Sequence, residues 1–418
     1  MIFALAIPAI FIAVGGAIDF SRVTQIKSEL QDAADVASVG SIAVNSPAFK
    51  AGLLITSGDL PIGVTRAQTI FAANLQPQKD ASNIKMTATV AKANNTMTSN
   101  VKVTGTYKTY MLGLIGISTL PIEVNSKSTA TVPPYIDFYL LLDNSPSMGV
   151  GATTADIDKM VANTSDKCAF ACHQKDAPGK DYYALAKKLG VTTRIDVVRQ
   201  ATQNLMISAG NTESLAGQYR MAIYDFGLSA DTITQQNPAP YAVSPLSADL
   251  TQSSKNAAAI DLMVMPSPGY NNDSQTNFKS SLAAMNALIP NPGDGTTSVK
   301  PQQVLFFVSD GATDAYDCAK MNVNTCRSIL PLDTAQCTAM KARGVRIAVL
   351  YTTYLPLPTN AFYNQYLAKY VAAPSQLATQ MQACASPGFY FEVNPNQGIS
   401  DAMNALFTKV ISVVRINS

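Results

Sequence analysis

Asp143, Ser145 and Ser147 stand on alternate residues near the end of the run YIDFYLLLDNSPSMG, residues 135–149. One carboxylate and two hydroxyls at this spacing put hard oxygen donors on one side of a loop, which suits Mg²⁺ or Mn²⁺ and not a soft-metal site. A serine-rich turn can equally be a helix cap, so the triplet alone decides nothing. Two further pieces of sequence bear on it. QQVLFFVSDGATD, residues 302–314, is a second apolar run that ends in Asp310-Gly311. Between the two, Thr276 precedes a helical pattern carried by Phe278, Leu282, Met285 and Leu288.

The elements that must position these donors are strands. Residues 135–142 are mostly aromatic or aliphatic, and such a run before a polar turn predicts a buried parallel strand. Asp143 then falls at its carboxyl end, the edge of an open α/β sheet where ligands bind. Further strands are expected in YRMAIYDFG (219–227), VRIAVLYTTYL (345–355) and GFYFEV (388–393), with a polar stretch continuing to Pro268. Helices are expected over TTRIDVVRQATQNLMISAG (192–210), TAQCTAMKARG (334–344), FYNQYLAKYVA (362–372), SQLATQMQACA (375–385) and about 400–414. This alternation predicts a doubly wound, mostly parallel α/β sheet.

In this order the three donor-bearing pieces resemble the metal-ion-dependent adhesion site of von Willebrand factor type A domains, over about Pro134 to the C-terminus. The resemblance implies that Ser145, Ser147 and Thr276 bind Mg²⁺ or Mn²⁺ directly. Asp143 and Asp310 would act through water or as outer ligands, and the sixth position would stay open for an acidic group of a partner. Gly295-Thr296-Thr297 is a rival for Thr276, but Pro301 and a strand follow it where a helix is expected. Measured against that family, the first helix after the metal loop is delayed, leaving an insertion at about 150–191 that reads as a recognition element, a lid or a solvent-facing decoration.

Composition narrows the function classes. Charged residues make up 14% of the 418, below the ~25% usual for soluble domains, so the surface is expected to be rich in Ser, Thr, Asn and Gln. The net charge of +2, with no basic block, gives nothing for nucleic acid to bind. A single histidine, His173, removes most catalytic arrangements that depend on imidazole.

Residues 1–18, MIFALAIPAIFIAVGGAI, contain no charge and reach the ~18-residue lower limit for a spanning helix. No basic stretch precedes the run and no small-residue cleavage site ends it, which argues against a cleaved signal peptide. The pattern continues as an amphipathic helix to about Val44, and IDFSRVTQIKSELQDAADVASVGS resembles the N-terminal segment of TadE/TadG-like pilus-assembly proteins. That resemblance implies a single-pass protein of the bacterial inner membrane, and the cysteine pattern, outweighing Arg22 and Lys27, predicts a periplasmic or extracellular C-terminal bulk. Pilin-type processing is not expected, because the apolar segment holds no glutamate. Residues 47–134 are expected to form a small α+β, pilin-like module: a helix at Thr65–Leu75, then three alternating strands with a hairpin at Asn94-Asn95. The expected division is thus 1–46, 47–134 and 135–418.

Six cysteines, an even number, point to disulfides and an oxidising compartment. Cys168-Ala-Phe-Ala-Cys172-His173 has three residues between its cysteines where haem attachment needs two, and no second ligand pair favours zinc. Cys168 with Cys172, Cys318 with Cys326 and Cys337 with Cys384 are the preferred pairs among the 15 that six cysteines allow. The run CAFACH is also a point of resemblance to TadG-like proteins. Three functions are then open: a membrane-anchored pilus component gripping an acidic protein partner (a pilin, another pilus-assembly protein or a host surface) through a metal, a structural scaffold with a silent metal site, and a redox or metal-dependent enzyme. The last is disfavoured because no nucleophile elbow and no Glu accompany the aspartate loops.

Overall fold

The computed structural model describes residues 2–169, 181–226, 240–263, 275–323, 326–393 and 398–416. Contacts divide the chain into two units, residues 1–134 and 135–417.

The first unit is a long helix laid on an antiparallel sheet. Its elements are α1 (Ile2–Ser41), α2 (Pro47–Gly52), β1 (Gly58–Asp59), α3 (Pro61–Asn74), β2 (Ala81–Ala93), β3 (Thr96–Lys108) and β4 (Thr119–Thr131). The strands pair in that order, each antiparallel to its neighbour. Asn94, at φ 52°, supplies the left-handed residue that the tight β2–β3 turn needs. Val23, Ile26, Leu30, Ala33, Ala34 and Ala37 form the buried stripe of α1, three and four residues apart as one helix face demands. They meet the alternate positions Val101, Val103, Tyr107, Ile122 and Val124 of the sheet. The helix ends at Ser41, not Val44, because Ser46 accepts from the Phe49 N–H and Pro47 opens α2. Of residues 1–18, expected to cross a bilayer, 2–18 belong to α1, and among the described residues no helix is long and apolar enough to do so.

The second unit runs β5 (Ile136–Leu142), α4 (Thr154–Asn163), α5 (Tyr182–Leu189), α6 (Arg194–Thr212), β6 (Tyr219–Asp225), β7 (Tyr241–Ser247), α7 (Leu250–Asn256), α8 (Phe278–Leu288), β8 (Gln302–Ser309), β9 (Ala312–Tyr316), β10 (Arg327–Pro331), α9 (Ala335–Ala342), β11 (Arg346–Thr352), α10 (Ala368–Val371), α11 (Gln376–Cys384), β12 (Tyr390–Val393) and α12 (Ile399–Ile416). Its six-stranded sheet has the order β12-β11-β8-β5-β6-β7, parallel except for the edge strand β7. Every residue of β5 is buried, as a central parallel strand covered on both faces requires. Phe138, Leu140 and Leu142 face the layer of α6 and α12, where Phe407 packs 5.3 Å from Phe138 and 5.6 Å from Tyr219. Tyr139 and Leu141 face the opposite layer, built on α8, α9 and α11. The buried carboxylate at the start of β5, Asp137, is held by two 2.7 Å bonds from Arg220 on the neighbouring strand.

Two stretches hold more structure than their sequence predicts. The polar stretch before Pro268 contains β7 and α7. An edge strand that is half exposed and interrupted by Pro245 carries little apolar pattern, so its signal is weak. The insertion contains α4 and α5, and its ends are fastened together. Ala152 N–H donates to Thr192 O at 2.8 Å and Arg194 N–H to Val150 O at 3.0 Å, so α6 starts beside the loop that follows β5 despite the intervening residues.

Disulfides join Cys318 to Cys326 across the β9–β10 hairpin and Cys337 on α9 to Cys384 on α11. Cys168 is also disulfide-bonded, while Cys172 and His173 lie outside the described residues. Loop-closure entropy scales with the span enclosed, 47 residues for one bond and 8 for the other. Replacing Cys337 and Cys384 together by alanine is therefore expected to cost about 4 kcal/mol, against about 2.5 for Cys318 and Cys326. Guanidinium unfolding of the two double variants would check the order, and equal losses would contradict it.

Candidate metal site

The site is assembled where β5 and β8 end side by side. Asp143 stays in the ladder through its N–H to Val308 O, 2.9 Å, and its carboxylate is fully buried. Oδ1 accepts from the Ser145 N–H at 2.9 Å, and Oδ2 from the Ser309 hydroxyl at 2.5 Å. Asp143 thus braces the loop that carries both serines. Ser145 is extended and leads into the short 3₁₀ turn Pro146–Gly149, which brings Ser147 Oγ to 3.3 Å from Ser145 Oγ.

On the neighbouring strand, Asp310 follows Ser309, and Gly311 at φ 76° turns the chain sharply into β9. A Cβ on Gly311 would come within 2.9 Å of Met381, so the turn also depends on close packing under it. Asp310 accepts from the Ala312 N–H at 3.2 Å, and the nearby Ser147 hydroxyl favours its charged form. Thr276 is brought in through its backbone. It pairs with Asp314, N–H to O 2.7 Å and O from N–H 2.9 Å, four residues beyond Asp310, while Arg327 grips the Asp314 carboxylate with two N–H donors. Asn277 then caps α8 by accepting from the Ser280 N–H at 2.9 Å.

The five predicted donors therefore lie in loops at one edge of the sheet, four of them buried and Ser147 half-buried. Asp143, Ser145 and Ser147 are linked to one another, Asp310 lies close to Ser147, and Thr276 joins through the β9 backbone. The rival Thr296 lies at the other end of β5. Gly295 O accepts from Tyr135 N–H at 2.9 Å, and the Thr296 hydroxyl is bonded to Asp294 at 2.6 Å.

Three side chains of this edge were not singled out in the sequence. Ser309 braces Asp143. Asp225 closes β6, paired in register with Leu142, so a third carboxylate is buried at the same edge. Its signal was present, since YRMAIYD is an apolar strand ending in an aspartate just as β5 and β8 are. Arg194 is the third. Placed at the first turn of α6 by the Thr193–Asp196 capping box, it is 2% exposed and lies 3.7 Å from Asp310. Nothing in the local sequence of an amphipathic helix start distinguishes such an arginine from a solvated one.

Burial sets the electrostatics. Loss of solvent, and then the nearby Asp310, push the Asp143 carboxyl up to about 7. Burial also raises Asp310, with Arg194 pulling the other way, and raises Asp225 well above the usual range with help from Asp261 and Asp143. Asp310 Oδ2 and Asp225 Oδ1 have no hydrogen-bond donor. Buried anionic oxygens short of donors, next to two serine hydroxyls, suit a hard cation. Among the described residues no three His, Cys, Asp or Glu side chains gather as a metal cage, so an ion here would draw on the hydroxyls.

Residues 1–41 match the family model described as putative Flp pilus-assembly TadE/G-like. Among solved structures, the chain is similar to the SpaC pilus adhesin of Lactobacillus rhamnosus GG, with 13% identity over 81% of this chain and 35% of that one and a TM-score of 0.40. The von Willebrand factor domain of the type V pili tip protein Mfa5 from Porphyromonas gingivalis matches at 10% identity over 69% of this chain and 97% of that one, TM-score 0.35. The PilB minor pilin of Streptococcus sanguinis matches at 11% identity over 80% and 79%, TM-score 0.34. The chain spans about a third of the Lactobacillus adhesin. No curated protein matches it.

Arg194 is the one cationic side chain paired with Asp310 among the described residues. Arg194→Gln should destabilise the second unit in chelator by roughly 3 kcal/mol, the scale for breaking a buried ion pair. Added Mg²⁺ should recover more stability in the variant than in the parent. Denaturation midpoints with and without chelator measure this, and an equal effect of Mg²⁺ on both proteins would count against it.

Proposed function

We propose that the protein is a membrane-anchored component of Flp pilus assembly and adhesion that grips an acidic group of a protein partner through a divalent ion. The observation that carries the metal reading is the gathering of Ser145, Ser147 and Asp310 at the carboxyl edge of a parallel sheet, beside buried carboxylate oxygens without donors. The match of residues 1–41 to the TadE/G-like model supports a place in the bacterial cell envelope and a part in pilus assembly.

On this reading Ser145, Ser147 and Thr276 contribute neutral oxygens to Mg²⁺ or Mn²⁺, and Asp143 and Asp310 supply the charge from behind. Neutral direct donors leave the ion electron-poor, so it attracts a carboxylate from outside while exchanging it reversibly. Asp143 holds the Ser145 N–H and the Ser309 hydroxyl, so its part is to fix the loop. The insertion ends at the rim of this site and is suited to choosing the partner. Anchoring through residues 1–18, with the remaining bulk periplasmic or extracellular, completes the proposal. The disulfides accord with an oxidising compartment.

A second reading, a scaffold whose site binds no ion, has one observation in its favour: Arg194 already places a positive charge against Asp310. Calorimetric titration with Mg²⁺ and Mn²⁺ separates the two. The wild-type protein is expected to bind one ion, and Asp143→Ala to weaken binding roughly 10- to 100-fold while the second unit stays folded. Cells carrying Asp143→Ala are expected to lose adhesion or piliation. An unchanged phenotype, or no ion bound by the wild type, would leave the scaffold.

A further inference from the structure

The first unit carries an apolar surface that its own fold does not use. From Thr109 to Ile122 the chain has no charged residue, and its central stretch, YMLGLIGI, forms the loop between β3 and β4. Tyr110 is 59% exposed, Leu114 83%, Ile115 47% and Ile117 43%. Such a concentration of large apolar side chains in one exposed loop calls for a partner.

The loop is fastened to α1 at one level. A Cβ on Gly15 would lie 2.6 Å from Met111 Cβ, and one on Gly16 would lie 3.4 Å from Leu112, so the two glycines form a notch into which the loop settles. One turn further on, Asp19 is buried. Its Oδ1 accepts from the Tyr110 N–H at 3.0 Å and the Tyr107 hydroxyl at 3.1 Å, and its Oδ2 from the Met111 and Leu112 N–H groups at 2.9 and 2.8 Å. The first charged side chain of α1 is thus withdrawn from the surface and spent on ordering the loop. Around it the helix itself exposes Ile12, Val14, Ile18 and Phe20.

We propose that the Tyr110–Ile117 loop and the adjoining face of α1 form a collar embedded in the surface of a lipid bilayer. The occupant is argued from continuity and charge. The collar extends the uncharged segment 1–18 without a break, and the charges that bound it, Arg22, Asp80, Lys108 and Glu123, all lie beyond Asp19 or outside the loop. Tyr110 fits the boundary, its ring exposed and its hydroxyl donating to Asp80 at 2.7 Å, as an aromatic between acyl chains and water would. A protein partner of this size would be expected to meet some polar group within the patch, and the loop's side chains offer none between Tyr110 and Ser118. The collar would fix the height and tilt of the first unit at the membrane, which a single helix leaves free. It deepens the anchoring reading, and its test separates the two.

The chain contains no tryptophan, so one introduced indole reports without background. Leu114→Trp in the full-length protein, reconstituted in phosphatidylcholine vesicles, is expected to show blue-shifted emission and several-fold stronger quenching by lipids brominated near the headgroup than Leu54→Trp. Leu54, 82% exposed, lies beyond the far end of α1, about 39 Å along the helix from Gly15. Adding Gly15→Leu, which pushes Met111 out of the notch, should reduce the quenching of Trp at 114 while the protein stays with the vesicles. Equal quenching at 114 and 54 in vesicle-bound protein would overturn the collar and leave anchoring intact. Failure to sediment with vesicles would overturn both. A blue shift at 114 of the same size without lipid would assign the surface to protein contacts instead.

Discussion

Burying like charges together is the constraint on which the second unit turns. Three parallel strands, β5, β8 and β6, each end in an aspartate or one residue short of it, and the sheet gathers Asp143, Asp310 and Asp225 at one edge away from water. Carboxylates in that position are unfavourable unless protonated, donor-bonded or faced by a cation. Each device is present in part. Ser309 and the Ser145 N–H serve Asp143, while the Ala312 N–H serves Asp310. Arg194 lies against Asp310, and two carboxylate oxygens still lack a donor. On the proposed reading, a hard cation would complete what these groups leave unfinished.

The parts around this edge act as supports. Zipping of Ala152 and Arg194 to Thr192 and Val150 lets an insertion with two helices sit on the rim without displacing α6. The β9–β10 hairpin, closed by Cys318–Cys326 and by the Arg327 grip on Asp314, provides the strand that Thr276 pairs with. Under the proposed function this rigidity would matter, because a site built of hydroxyls depends on geometry where charge alone would not hold an ion.

The first unit solves a different problem with different means. Alanines on α1 allow a close approach to the sheet, and the hydroxyls that come with such small residues are paired across the interface. Ser38 lies 2.8 Å from Ser126 and 2.6 Å from Ser128, and Ser41 donates to Ser99 at 2.8 Å. A core this rich in small side chains gains less from burial per residue and leans on hydrogen bonds between the layers.

Local pattern was enough wherever one residue run decides its own environment. The apolar runs of β5, β8 and β11, the i, i+3, i+4 stripes of α6 and α12 and the turn at Asn94-Asn95 are all written in consecutive residues, because burial on both faces or along one stripe leaves a periodic trace. Asp143, Ser145, Ser147 and Asp310 were legible for the same reason, since each ends such a run. Tertiary structure alone decided the rest. Which end of β5 the Thr276 and Thr296 loops each reach follows from strand order. The burial of Arg194 and Asp225 beside Asp310 and Asp143 depends on neighbours far away in sequence, as does the use of Asp19 to hold the loop at Tyr110. Those are contacts between segments, and no single segment carries a record of its partner.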